Sequence, residues 1–211
     1  MLKRTYVNKL IYTITSKKIF LGLFFIIRNY FLFLIFNFDK WHIKSNFYLR
    51  PYKGLAVKIL NSIKFDNVIE VGCGLCDVLT RIKANNKIGI DQDKNVIKAC
   101  KFINFKDIHF INNSFLEVIN LEKYFNFKDK EKNLLICINW PHLYEWKTLS
   151  NLIKEFSMRN NINYVFIDLI TQDLNNNYPY HHTKDQLSTI GDIKIIREVP
   201  NSSRALCLIK L

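Results

Sequence analysis

Apolar residues along this chain follow two rhythms. Short continuous runs recur at Val68–Val71, Lys87–Asp91, Ile108–Asn112, Leu134–Ile138 and Tyr164–Ile167. Runs of this length predict strands buried on both faces, as in a parallel sheet. Between them, apolar positions repeat at helical spacing. They predict helices over Gly54–Ile63, over a segment carrying Val78, Leu79 and Ile82, over Asn95–Phe105 and over Trp146–Met158. Two further β runs, Ile193–Val199 and Ala205–Leu211, flank Pro200-Asn-Ser-Ser203 and predict an antiparallel hairpin. Strand and helix alternate, so the class is α/β, with a mostly parallel sheet of seven strands closed by that hairpin. No internal repeat or low-complexity linker interrupts it.

The first forty residues read differently. Val7, Leu10, Ile11 and Ile14 form an amphipathic stripe, and the run Ile19–Ile27, the pair Arg28-Asn29 and the run Tyr30–Phe36 follow. The span is long enough to cross a bilayer. Arg28 near its centre costs about 2.5–3.5 kcal/mol there, against about 0.3–0.6 kcal/mol returned by each Leu, Ile or Phe. A basic, aromatic segment of this kind reads best as one lying in the membrane interface, through residues 1–38. The alternative is a helical cap packed on the domain. No small-residue cleavage site follows, which argues against a signal peptide. The chain therefore divides into a basic hydrophobic segment, 1–40, and an α/β domain, 41–211. Between the two comes a polar, aromatic stretch with Trp41, His42, Arg50, Pro51 and Tyr52, read as an ordered loop.

Charge changes the picture only by its distribution. The 211 residues carry a net charge of +13, with an excess of Lys, Asn, Ile and Phe that AT-rich coding alone can produce. Residues 1–40 hold seven basic residues against Asp39 alone. The positive charge thus gathers in an apolar segment and does not form a groove-like patch, so nucleic acid is not expected as a partner. Five cysteines, an odd number in apolar contexts, point to reduced thiols and a cytoplasmic location, at the inner face of the membrane if residues 1–38 touch it. Cys73-x-x-Cys76 has metal spacing but no second pair, and no metal site is expected.

Candidate chemistry centres on Glu70-Val-Gly72-Cys73-Gly74-Leu-Cys76-Asp77. Glycines at a strand-to-helix turn let the backbone pass close to a ligand, and an acid two residues earlier suits a cationic group. About twenty residues on, Asp91 ends the second strand, where an acid can take ribose hydroxyls. This pattern resembles motif I of the class I S-adenosylmethionine (SAM)-dependent methyltransferases. The resemblance covers roughly residues 50–211 and implies a Rossmann-like fold with SAM as cofactor. It implies cofactor contacts from Glu70, Gly72, Cys73, Gly74, Asp91, Gln92, Ser114 and Asn139. Two departures stand out: Cys76 replaces a frequent third Gly, and Ser114 replaces a frequent Asp.

A narrower likeness rests on Trp41-His42, Arg50-Pro51-Tyr52, Asn139-Trp140 with His142, and Tyr180-His181-His182. Together these look like small methyltransferases of bacterial surface-polysaccharide gene clusters, which implies a sugar or other small-molecule acceptor. A hydroxyl acceptor must lose a proton, and histidine titrates near neutrality. His142, just past the fourth strand, and His181, on the loop after the fifth, are therefore the candidate bases. Asn139-Trp-Pro-His142 also loosely resembles the Asn-Pro-Pro-aromatic motif of amino-group methyltransferases, which would make an RNA base the substrate. A third reading is a SAM-fold scaffold without activity.

Overall fold

In the computed structural model, residues 18–103, 107–118, 127–128, 130–170 and 178–211 are described below. The apolar stripe at Val7–Ile14 lies outside them. The elements are α1 (Lys18–Phe36), α2 (Trp41–Lys44), α3 (Pro51–Leu60), β1 (Asn67–Val71), β2 (Asn86–Asp91), α4 (Lys94–Ile103) and β3 (Ile108–Asn112). After these come α5 (Phe115–Val118), β4 (Asn133–Cys137), α6 (Trp146–Arg159), β5 (Tyr164–Ile170), α7 (Lys184–Ser188), β6 (Asp192–Glu198) and β7 (Arg204–Lys210).

The strands form one sheet in the order β3-β2-β1-β4-β5-β7-β6. The first five are parallel, and β7 runs antiparallel between β5 and β6. This is the seven-stranded, mostly parallel α/β sheet with a terminal hairpin that the pattern predicts. The central strands β1 and β4 are buried at every position, because helices cover both faces. On one face Val68, Leu134, Ile136 and Phe166 pack with Ala56 and Leu60 of α3 and Val96 and Cys100 of α4. On the other, Ile69, Leu135 and Val165 pack with Leu149, Ile153 and Phe156 of α6.

Asparagines fix the register at the amino ends of the strands. Asn86, Asn67 and Asn133 open β2, β1 and β4 and stand level in the sheet. The Asn86 amide donates to Asn67 (2.7 Å), and the Asn67 amide donates to Asn133 (2.7 Å). The ladder ends where the Asn133 amide donates to the Asn161 carbonyl (2.8 Å).

Three elements differ from expectation, the first being the stretch read as an ordered loop, which holds the short helix α2 and the start of α3. The helix expected after the glycine turn is a single 3₁₀ turn, Leu79–Arg81. The N–H of Leu79 donates to Glu70 at 3.1 Å, and by Asn85 the chain is back at the sheet, donating to the Asp66 carbonyl. So short a connection cannot repay helix nucleation. Asp168, expected at the end of the fifth strand, lies inside it, and β5 runs two residues further.

The segment α1 lies lengthwise on the domain. Near its start the Gly22 carbonyl accepts from the Asn46 amide (3.2 Å), and in the middle the Asn29 amide donates to the His42 carbonyl (3.2 Å). Near its end Phe36 meets Phe102, ring centroids 5.4 Å apart. Asn29 and Leu32 are buried, whereas Phe24 and Ile27 are 61% and 69% exposed. The pair Arg28-Asn29 divides between two directions. Asn29 faces the domain, and Arg28 folds over the Phe25 ring and donates to the Asn29 side chain (2.8 Å).

Candidate functional site

The site begins where β1 ends. Gly72 and Gly74 take φ of +66° and +52°, conformations that cost a side-chain-bearing residue. A Cβ on Gly72 would stand 2.7 Å from the Trp140 ring, which lies across the turn with its indole N–H donating to the Val71 carbonyl (2.7 Å). A Cβ on Gly74 would press on the His42 ring at 3.2 Å. Cys76 holds φ +58° with its own side chain, buried beside Cys100. Burial pushes its thiol well up, so it stays protonated and inert. Asp91 closes the turn: one carboxylate oxygen accepts from Gly74 N and the other from Asp93 N, each at 2.9 Å.

Beneath the turn is a small chamber of about 30 Å³, lined by Glu70, Gly72, Cys73, Gly74, Asp77, Lys53 and His42, among others. Lys53 pairs with Asp77 at 2.8 Å and also donates to the Ser45 carbonyl. Among the described residues Glu70 has only the Leu79 N–H as a partner, and burial pushes its carboxyl up to about 8. Burial lowers His42 to about 4, so its ring is neutral at physiological pH.

The chamber shares a wall with an open cleft of about 440 Å³, the size of a small-molecule site. Asp91, Gln92, Asn113 and Ser114 line one end, at the carboxyl edges of β2 and β3. The Ser114 hydroxyl donates to Glu117, within the turn that opens α5. Arg50, Tyr52, Tyr178 and Arg204 line the other end. Asn139 stands between the two ends at φ +73°. Its backbone N–H donates to Asp168 (3.0 Å), its amide to the Tyr52 hydroxyl (3.1 Å), and its carbonyl oxygen accepts from Arg204 (2.7 Å). Arg204 also pairs with Asp168 and covers the Tyr52 ring. Burial by itself would raise the Asp168 carboxyl, but Arg204, His142 and the Asn139 N–H together outweigh it and hold the group below its ordinary range.

All eight residues named above as cofactor contacts line the chamber or the cleft. The two candidate bases do not. His142 is wholly buried, stacked on His182 and 3.5 Å from Asp168, because the 3₁₀ turn Trp140–Leu143 carries its ring away from the cleft. His181 is exposed, its Nδ1 3.2 Å from the Ile170 carbonyl. Neither ring lines the cleft, and of the five histidines only His42 does. Lys53 and Arg204 escaped the sequence reading. Arg204 enters only through the antiparallel register that sets it opposite Ile170.

With this geometry in hand, comparison with known proteins is informative at the level of architecture. No protein-family model matches the chain, and no curated protein matches it in sequence. Solved structures do. The N-methyltransferase NodS from Bradyrhizobium japonicum WM9, in complex with S-adenosyl-L-homocysteine, superposes with a TM-score of 0.57 at 12% identity, over 82% of this chain and 91% of that one. Magnesium protoporphyrin IX methyltransferase from Synechocystis PCC 6803, with bound SAM, gives 0.53 at 10% identity over 92% and 95%. This chain has the methyltransferase fold. A candidate O-methyltransferase from Nostoc punctiforme PCC 73102 gives 0.56 at 12% identity over 76% of this chain, which spans 56% of that protein's length. In this fold the glycine turn after β1, the acid ending β2 and Asn139 after β4 meet where strand order reverses, at the carboxyl ends of the strands.

Proposed function

We propose that the chain is a SAM-dependent methyltransferase that methylates a hydroxyl of a sugar or another small polar acceptor. The observation that carries this reading is the cleft itself. An acid, a turn with two positive-φ glycines and a second acid line two adjoining cavities that share a wall at the carboxyl edge of a parallel sheet. The donor set fits the cofactor: Asp91 would take ribose hydroxyls, and Glu70 would take an amino group. When bound, SAM supplies an electrophilic methyl group. The protein's share is alignment. Ser114 and Gln92 flank the adenosine end of the cleft, Glu70 and Asp77 the amino-acid end, and Asn139 the ground between cofactor and acceptor.

Arg50, Tyr52, Tyr178 and Arg204 furnish the acceptor end with hydroxyl and guanidinium groups suited to a polar substrate. His42, kept neutral by burial, lines both the chamber and the cleft. His142 enters this reading as a positioning residue, through Asp168 and the Asn139 backbone that Asp168 holds. The amino-group alternative needs Asn139 free to face a target NH₂. Both ends of its amide are already engaged, by Tyr52 and Arg204, which favours the hydroxyl reading.

Calorimetry with SAM and its demethylated product tests the proposal. Both should bind, and Asp91→Ala should weaken binding by about 1.5–3 kcal/mol, the scale of a hydrogen bond to a charged group. Absence of binding at millimolar ligand would leave the inactive-scaffold reading. A sugar panel with labelled methyl then assigns the acceptor, and methylation of RNA in place of sugars would restore the amino-group reading.

A further inference from the structure

The outer face of α1 has no partner among the described residues. At about 100° per residue, Phe20, Ile27 and Phe31 stand opposite Asn29, and Phe24 and Leu34 flank them. All five are exposed, and nine large apolar side chains of α1 are exposed in all. A contiguous apolar face of this kind marks an interaction surface. The helix is also apolar enough to cross a bilayer, over Ile19–Phe36. Its inner face argues otherwise. Contacts at Gly22, Asn29 and Phe36 hold it to the domain over nearly its whole length.

We infer that α1 is an in-plane membrane-docking helix whose outer face enters an anionic lipid surface while its inner face stays on the domain. Charge selects the occupant. No acid precedes Asp39 in the sequence, where Lys17 and Lys18 stand just before the apolar run and Lys40 shortly after it. Basic residues around an apolar helix face are the arrangement that anionic headgroups attract. A second copy of the chain would bring the same cations together, and residues 1–17, with four basic residues and no acid, add to the attraction. The docked geometry also sets a distance. Asn29 reaches the carbonyl of His42, whose ring lines the cleft. One wall of the cleft therefore stands about one helix diameter, roughly 10–12 Å, from the lipid-facing side.

Co-sedimentation of the full chain with vesicles tests this without any reference to cofactor or acceptor. Vesicles of about 30% phosphatidylglycerol in phosphatidylcholine should carry the protein down, and raised salt should release part of it. The double variant Phe24→Asp/Phe31→Asp should lower partitioning at least about tenfold while its circular dichroism and melting stay native. Several outcomes would overturn the inference. Wild type left in the supernatant would do so, as would equal sedimentation of wild type and variant. Pelleting that resists an alkaline carbonate wash would make α1 a spanning helix. A dimer that the variant abolishes, with vesicles ignored, would give the face to a second copy. Sedimentation gained only on deleting residues 1–16 would give it to that segment.

Discussion

Glu70→Gln should abolish most of the stability loss that the ligand-free protein shows between pH 5 and pH 8. Glu70 is buried in β1, and burial raises its carboxyl from 4.5 to about 8. Over that interval the folded state binds a proton that the unfolded state has released. Stability from this group is complete below the unfolded value and falls as pH rises through the folded one. At about 1.4 kcal/mol per pH unit, the loss sums to about 5 kcal/mol by pH 8. Gln copies the protonated form and should hold its stability over the same range. Asp91, also raised by burial, keeps a share of the slope in both proteins. Urea titrations at pH 5 and 8.5 measure the difference, and parallel pH profiles for the two proteins would refute the assignment. The raised carboxyl also has a functional reading. A ligand bringing an ammonium group beside Glu70 would draw it back to the charged form and release a proton. Calorimetry of SAM binding in buffers of different ionisation enthalpy should detect that proton in the wild type and lose it in the variant.

Arg204→Met should cost about 3–5 kcal/mol, the scale of breaking a buried ion pair from one side. Asp168 is wholly buried, and Arg204 is the cation beside it. Without Arg204 the carboxylate keeps the Asn139 N–H and the neighbouring His142, and burial is no longer outweighed. Pairing holds the Asp168 carboxyl low, so its stabilisation is present above the ordinary carboxylate range and is lost as pH falls through the folded value. The gap between wild type and variant should therefore narrow as pH falls from the variant's raised Asp168 value through the wild type's lowered one. The double variant Asp168→Asn/Arg204→Met should recover much of the loss, because no charge is left unpaired. Additive costs in that cycle would mean that the two groups are not coupled. Turnover should fall as well, since Arg204 also fixes the Asn139 side chain.

The sheet was legible in the sequence because each parallel strand is a continuous apolar run, a pattern that burial on both faces demands. The glycine turn was legible because Gly72 and Gly74 sit where a Cβ would strike Trp140 and His42. What escaped depended on direction. His142 occupies the expected place in the chain, but the positive φ of Asn139 and the turn after it aim the ring into the core. Arg204 carries no local signature, because only the antiparallel register of β5 and β7 brings it to Asp168. Arg28-Asn29 reads in sequence as a polar flaw in an apolar span, and only tertiary contact shows that Asn29 is the side chain docking the helix.

The asparagine ladder gives the sheet two unlike ends. Amides across Asn86, Asn67 and Asn133 neither gain nor lose protons, so the amino ends of β2, β1 and β4 keep their register at any ordinary pH. At the carboxyl ends, Glu70, Asp91 and Asp168 all titrate away from their usual range. Acid or base should thus loosen the molecule from the cleft downward, like a zip with one end sewn shut. Hydrogen exchange should show it: the Gly74 and Asp93 amides, held by Asp91, lose protection as pH leaves neutrality, while those at the ladder end of β1 and β4 exchange last. Breathing of this kind opens the pocket without letting the strands slip, so ligand can enter and leave a sheet whose pairing never has to be found again.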